Sequence, residues 1–291
     1  MEICSLKNRE KRIIFIGSVE IGLTILEAIY KVTHVHSIFT LPLDKASKTS
    51  GFVDFEPVAK KYNSVLMRTD NINSPENISI IKKISPDLII TAGWQRLISK
   101  EILDIPLLGT VGFHSSLLPK FRGRAPVNWA IILGEKETGI TMFYLTPEAD
   151  NGDIIAQESF EILLNDDCNT VYKKSAQAGA YLISKYLDLI LEGKAPRIHN
   201  PATSYPAYPK RTPQDGEIDF NRSSIEIYNF VRALTKPYPG AYYFNSQGEK
   251  ILVWKLGILF DESRIQPDDI VIATKDLPVY LIDWEISTNS E

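Results

Sequence analysis

The chain has 291 residues, 44% hydrophobic and 23% charged, a composition that fits one large or two modest globular domains with a full-sized core. Its net charge of -4 gives no average field that would draw nucleic acid or an anionic membrane, although a local basic groove stays open. The two cysteines, Cys4 and Cys168, offer neither a disulfide framework nor metal-ligand spacing, and no apolar run is long enough to span a bilayer. The polar start, Met1 to Arg12, lacks the apolar core of a signal peptide. A cytoplasmic protein without a metal is therefore the expectation.

Along the chain, Ile13 to Ile16 reads as a strand, Gly17-Ser18 as a tight turn, and Ile21 to Tyr30 as a helix. His34 to Phe39 predicts a second strand, Pro57 to Tyr62 a helix, Val65 to Met67 a strand and residues 76–84 another helix. The apolar run Asp87 to Thr91, preceded by Ser85-Pro86, has the character of a buried parallel strand. Residues 109–113 predict the next strand and Pro126 to Leu133 a helix with proline in its first turn. Strands at Thr138 to Tyr144 and Asp153 to Phe160 precede a long amphipathic helix from Asn169 to Leu191, which stops before Gly193 and Pro196.

Alternating strands and helices imply a doubly wound, mostly parallel α/β sheet. The proline-rich stretch 195–216 reads as a linker, so the boundary is expected at 1–200 and 201–291. Beyond it, Ser223 or Ser224 can cap a helix reaching Leu234. Short β-rich runs across 241–284 suggest a small antiparallel sheet or barrel.

The segment richest in chemistry is His114-Ser115-Ser116-Leu117-Leu118-Pro119-Lys120-Phe121-Arg122-Gly123-Arg124-Ala125-Pro126. His114 stands at the carboxyl end of a predicted parallel strand, the edge where open α/β sheets bind ligands. A loop dense in Pro, Gly and Arg makes a poor core and a good frame for polar groups. Alone, a histidine in apolar sequence is more often a satisfied structural residue. Downstream, Asp150-Asn151-Gly152-Asp153 is turn-like, and Asp153 competes with Asp150 for any carboxylate role. Arg122 and Arg124 either shape the loop or grip phosphate or carboxylate through a guanidinium fork. His34, His36 and His199 receive no chemistry.

With these residues in view, the chain resembles the folate-dependent formyltransferase family, whose signature is His followed by S-L-L-P and R-G, and later Asp-x-Gly. Here the matching positions are His114, Leu117-Leu118-Pro119, Arg122-Gly123 and Asp150-Asn151-Gly152. The resemblance implies a Rossmann-like catalytic domain, 10-formyltetrahydrofolate as formyl donor, and a catalytic pair His114 and Asp150. It places a folate-binding wall at Trp94, Gln95, Arg96 and Leu97 and at Thr146, Pro147, Glu148 and Ala149. Main-chain groups are the expected contacts there, and Trp94 either stacks on the flat ligand or packs in the core. Ser18, Ser116, Arg122 and Arg124 are the implied substrate contacts. Histidine titrates near neutrality and a carboxylate can orient it, which suits formyl transfer.

The pattern breaks at one position. Family members carry N-x-H, whereas this chain has Gly112-Phe113-His114 and so lacks an amide donor to the oxyanion. A water in the vacated space, another side chain such as Gln95, or a weakened enzyme are the alternatives. The acceptor is open too. Residues 209–216 and 237–242 are similar to the corresponding parts of the UDP-4-amino-4-deoxy-L-arabinose formyltransferase branch. From Tyr205 onward acidic residues outnumber basic ones, which is a poor tRNA cradle. A nucleotide-linked amino sugar, UDP- or dTDP-bound, is thus the expected partner. Methionyl-tRNA formyltransferase and a non-catalytic folate or nucleotide-sugar binding module are the alternatives. A homodimer through the C-terminal β region is left open.

Overall fold

The computed structural model describes residues 11–201, 204–261, 263, 266 and 269–287; Cys4 lies outside them. Seven strands form the main sheet. They are β1 (Ile13–Ile16), β2 (Ser37–Thr40), β3 (Val65–Arg68), β4 (Leu88–Thr91), β5 (Thr110–His114), β6 (Glu137–Tyr144) and β7 (Ile154–Glu161). Their spatial order is β3-β2-β1-β4-β5-β6-β7. The pairs β1–β2, β2–β3, β1–β4 and β4–β5 are parallel, and β5–β6 is antiparallel. The winding reverses between β1 and β4, so the carboxyl ends of the central strands open onto a switch point.

Every residue of β1 and β4 is buried, as expected of strands covered on both faces. α1 (Glu20–Tyr30) buries Gly22, Ile25, Leu26 and Ile29, an i, i+3, i+4, i+7 stripe. Full burial of a side chain such as Ile25 or Leu26 contributes about 1.5–3 kcal/mol. α2 (Glu56–Lys61) follows β2, and α3 (Pro75–Ile84) begins with Ser74 accepting from the Asn77 N–H. α3 ends at Ser85 in the left-handed region.

Short elements that went unread in the sequence include the 3-10 turns Leu43–Lys48 and Pro213–Gly216 and α4 (Lys100–Leu103). None of these is long enough to display a hydrophobic period. α5 spans Pro126–Ile132 and α6 Cys168–Leu191, close to the predicted helices.

The chain divides into two compact units. The first runs to Arg122 and includes Gly139–Ser159 and Lys174–Pro206; the second takes Gly123–Thr138, Phe160–Lys173 and Ala207 onward. This division is discontinuous, whereas composition suggested one cut at 200/201. Part of the expected linker is structured: Ile198 bridges Ile154 at the start of β7 through two backbone hydrogen bonds. Within the second unit, α7 (Ser224–Leu234) opens with a Ser223–Glu226 capping box. It packs on a four-stranded antiparallel sheet of β8 (Ala241–Phe244), β9 (Lys250–Ile258), β10 (Val271–Ile272) and β11 (Val279–Ile286), ordered β10-β11-β9-β8. Among the described residues, no helix is long and apolar enough to cross a membrane.

Candidate active site

His114 is the last residue of β5 and is 8% exposed. The loop that follows is folded back onto it. Ser116 N–H bonds the His114 carbonyl at 2.8 Å, and the Ser116 hydroxyl donates to the Lys120 carbonyl at 2.6 Å. The Leu118–Pro119 peptide is cis. Phe121 then adopts a left-handed backbone, φ 55°, and its carbonyl meets His114 Nε2 at 2.9 Å. On the other side of the ring, Asp150 Oδ1 lies 3.5 Å from Nδ1. Asp150 is also left-handed, φ 55°.

Such backbone conformations cost non-glycine residues free energy and persist where surrounding contacts enforce them. Two of them thus flank one imidazole. A carbonyl only accepts, so Nε2 carries a proton to satisfy Phe121. Nδ1 then faces a carboxylate, and the doubly protonated ring is the form that serves both acceptors. At 3.5 Å the Asp150 contact is longer than an ordinary hydrogen bond.

Asp150 is held from behind by Asn200. Its buried side-chain amide donates to the Asp150 carbonyl at 3.0 Å and the Gly152 carbonyl at 3.3 Å. The Arg122 guanidinium donates to the carbonyls of Ala149 and Tyr205, each at 3.3 Å. It braces the same turn.

Of the expected wall, Gln95, Arg96 and Leu97 are exposed, as are Pro147, Glu148 and Ala149. Trp94 is half-buried and packs against the core cluster that contains Ile14, Ile16 and Ile98. Arg96 lies over its ring at 5.8 Å and donates to the Asp70 carbonyl. The Leu97 carbonyl accepts from Asn73 Nδ2 at 2.9 Å, and Asn73 Oδ1 accepts from Ser99 N–H at 2.8 Å. Thr146 Oγ1 donates to the Glu148 carbonyl.

Neither serine expected to meet substrate presents its hydroxyl. Ser18 is 1% exposed and donates to the Gly93 carbonyl; Ser116 is 0% exposed and is committed to Lys120. Both shape turns in this structure. The Arg124 side chain is exposed, and its N–H bonds the Tyr208 carbonyl. Beside it, Gly123 has φ 102°, and a Cβ there would come within 2.5 Å of the Tyr208 carbonyl oxygen, so only glycine fits. Among the described residues, no three His, Cys, Asp or Glu side chains are grouped as a metal would need.

At Gly112, a Cβ would lie 2.5 Å from Leu145 Cδ2 and 3.1 Å from Leu145 Cγ. The space on that side of β5 is taken by leucine.

A formyl transferase model matches residues 11–187, and a formyl transferase C-terminal domain model matches residues 210–285. The chain belongs to the formyl transferase family. It is 34% identical to a methionyl-tRNA formyltransferase of Caldanaerobacter subterraneus subsp. tengcongensis, over 91% of this chain and 86% of that protein. It is 37% identical to the bifunctional polymyxin resistance protein ArnA of Wigglesworthia glossinidia brevipalpis, over 84% of this chain. The chain spans only 38% of that relative's length. Among solved structures, an N-formyltransferase from Helicobacter canadensis, in complex with folinic acid and dTDP-3-aminofucose, superposes with a TM-score of 0.70 at 20% identity. The match covers 94% of this chain and 99% of that one. A 4-N formyltransferase from Francisella tularensis gives 0.67 at 24% identity, covering 84% and 96%.

In this formyltransferase, three groups that hold the pair or the expected folate wall went unread in the sequence. They are the Phe121 carbonyl, the Asn200 clasp and Asn73, which ties down the 94–99 loop. Asn200 sits in a proline-rich stretch that reads as linker, so nothing local marks it. Asn73 precedes a helix cap and reads as a turn residue.

Proposed function

We propose that the chain transfers the formyl group of 10-formyltetrahydrofolate to the amine of a nucleotide-linked amino sugar. The observation that carries the chemistry is the His114 ring held between the Phe121 carbonyl and the Asp150 carboxylate at the carboxyl edge of β5. The donor supplies an activated formyl carbon, and the exposed runs 95–97 and 147–149 are the residues offered to hold it. The imidazole, when charged, places positive charge next to the formyl oxygen as negative charge develops there, while its Nε2 N–H stays on the Phe121 carbonyl. Asp150 stabilises that charged ring and is the nearest carboxylate to receive the proton that the attacking amine loses. The nitrogen of the departing folate takes up one proton, so none is gained or lost overall. Leu145, in place of the family's amide, gives the oxyanion an apolar neighbour and leaves its stabilisation to His114.

For the acceptor, support comes from the acidic balance after Tyr205 and from structural neighbours described as sugar N-formyltransferases, one of which holds dTDP-3-aminofucose. A second reading, initiator methionyl-tRNA, is favoured by the relative that matches over 91% of this chain. Turnover with 10-formyltetrahydrofolate against a panel of UDP- and dTDP-amino sugars and charged tRNA decides between them. Formylation of a sugar with tRNA inert is the expected result; the reverse overturns the sugar reading. No turnover with any acceptor would favour a binding module.

A further inference from the structure

Directly across the antiparallel pair from His114 stands Thr141, on β6 and 0% exposed. Its hydroxyl donates to the Ser116 carbonyl at 2.6 Å. It accepts from the Leu118 N–H at 3.0 Å and from the Gln157 amide at 2.9 Å. A hydroxyl has one donor and two acceptor positions, and all three are filled. Gln157 reaches in from β7, and its amide also donates to the Leu118 carbonyl at 2.8 Å. The chain of contacts continues from Ser116 through its hydroxyl to Lys120, and the next residue, Phe121, offers the carbonyl that engages His114 Nε2.

We infer that Thr141 is a positioning residue for His114, with Gln157 as its brace. It touches no reacting atom. It fixes the 115–121 loop so that the Phe121 carbonyl meets Nε2, and so determines which ring nitrogen bears the proton in the neutral form. Packing alone would not need this arrangement, because a valine fills the same volume. The hydroxyl is required because three loop and strand groups converge on one buried oxygen. Removing it leaves the Leu118 N–H and the Ser116 carbonyl without their partner inside the protein.

This inference rests on His114 being the reacting histidine, and the experiment separates the two ideas. Thr141→Val, Thr141→Ser and Gln157→Leu are compared in the full chain by steady-state formyl transfer across pH. The same variants are followed by 15N NMR of the His114 ring, and thermal melting reports folding. Thr141→Val should lower kcat by about 10–100-fold, leave the KM for the donor within about threefold and move the pH profile of kcat. Thr141→Ser should restore most of the rate. In a His114→Asn background, Thr141→Val should add no further loss, since its effect passes through the ring. The NMR signals should move away from the Nε2–H form in Thr141→Val.

An unchanged pH profile and unchanged ring signals in a folded Thr141→Val protein would overturn the inference. So would an equal further loss in the His114→Asn background. If His114→Asn itself keeps full turnover, the functional reading fails, while the NMR comparison still decides the role of Thr141. Should Thr141→Val not fold, Gln157→Leu on the exposed face of β7 carries the same tests with a smaller expected loss.

Discussion

Gly112 and Leu145 are coupled by contact, and this makes the sign of a single substitution depend on its partner. Gly112→Ala adds one methyl 2.5 Å from Leu145 Cδ2, well inside van der Waals distance. Leu145 has little freedom to withdraw. It packs against Leu118, Phe143 and Ile154 on one side and the Ile14–Ile98 cluster on the other. Overpacking of this kind costs about 1–3 kcal/mol. Against it, replacing glycine where φ is ordinary stabilises by about 0.4–1 kcal/mol, because the unfolded chain loses freedom. In the native background the contact should win, and the substitution should destabilise. In a Leu145→Ala background the contact is gone and the entropy gain remains, so Gly112→Ala should become neutral or stabilising. Urea unfolding of the four proteins gives the coupling energy directly, expected at about 1 kcal/mol or more. Strict additivity would refute the packing argument. The variant Gly112→Asn with Leu145→Ala extends the same test to function: it returns an amide beside His114 with space to hold it, and its turnover should exceed that of Gly112→Asn alone.

Four further outcomes are open to measurement. His114→Ala and Asp150→Asn should each cut turnover by about 10²–10⁴-fold with melting temperatures near native; near-native turnover in both would remove the pair from the mechanism. Asn200→Ala should lower kcat more than it raises KM, because it frees the Asp150 turn without touching either substrate. The Cys168 thiol is buried and pushed up to about 12, chiefly by that burial. At pH 8 about one part in ten thousand would be thiolate, so in a Cys4→Ser protein it should resist thiol reagents until the chain unfolds. Asp276 accepts main-chain N–H bonds from Ser224 and Leu277, which hold its carboxyl down at about 2. A depressed carboxyl stabilises the fold above its unfolded value and loses that contribution as pH falls toward the folded one. Acid unfolding of Asp276→Asn should therefore be flatter than that of the native chain below about pH 4, the ordinary carboxylate range.

Much of the fold was legible because its signals are periodic. The buried runs at Ile13–Ile16 and Leu88–Thr91 and the 3.6-residue stripe of Glu20–Tyr30 carry their environment in their spacing. The helix Cys168–Leu191 has the length and breakers that make a helix unmistakable. What failed to show is what spacing cannot encode. α4 is a single turn, and Ile198 bridges Ile154 of β7 through backbone groups that any residue but proline could supply. Segments 123–138 and 160–173 group with the C-terminal part through contacts far apart in the chain.

The site divides along the same line. His114 and Asp150 lie side by side in the fold, and the sequence singles them out because their side chains are chemically distinctive and their neighbours form a recognisable string. The groups that fix the geometry of the pair are largely main-chain ones, braced by the Asn200 and Arg122 side chains. Phe121 reads as an ordinary core aromatic, yet its left-handed backbone aims a carbonyl at the ring. Asp150 reads as a turn former, and it is one; the turn is what brings its carboxylate to Nδ1. Ser18 and Ser116 show the opposite pattern, with hydroxyls turned onto the chain itself. Small hydroxyl residues at a ligand edge suggest substrate contacts, but a buried hydroxyl must find a partner, and each finds a nearby carbonyl first. Leu145 completes the point. The missing amide at Gly112 is visible in the sequence as a loss, and only the structure reveals it as a replacement, supplied by a leucine from the neighbouring strand's exit. A site that has exchanged a polar neighbour for an apolar one has to place its remaining charge more strictly. The Phe121 carbonyl and the Asp150 carboxylate, gripping the two nitrogens of one ring, are the means by which this chain does so.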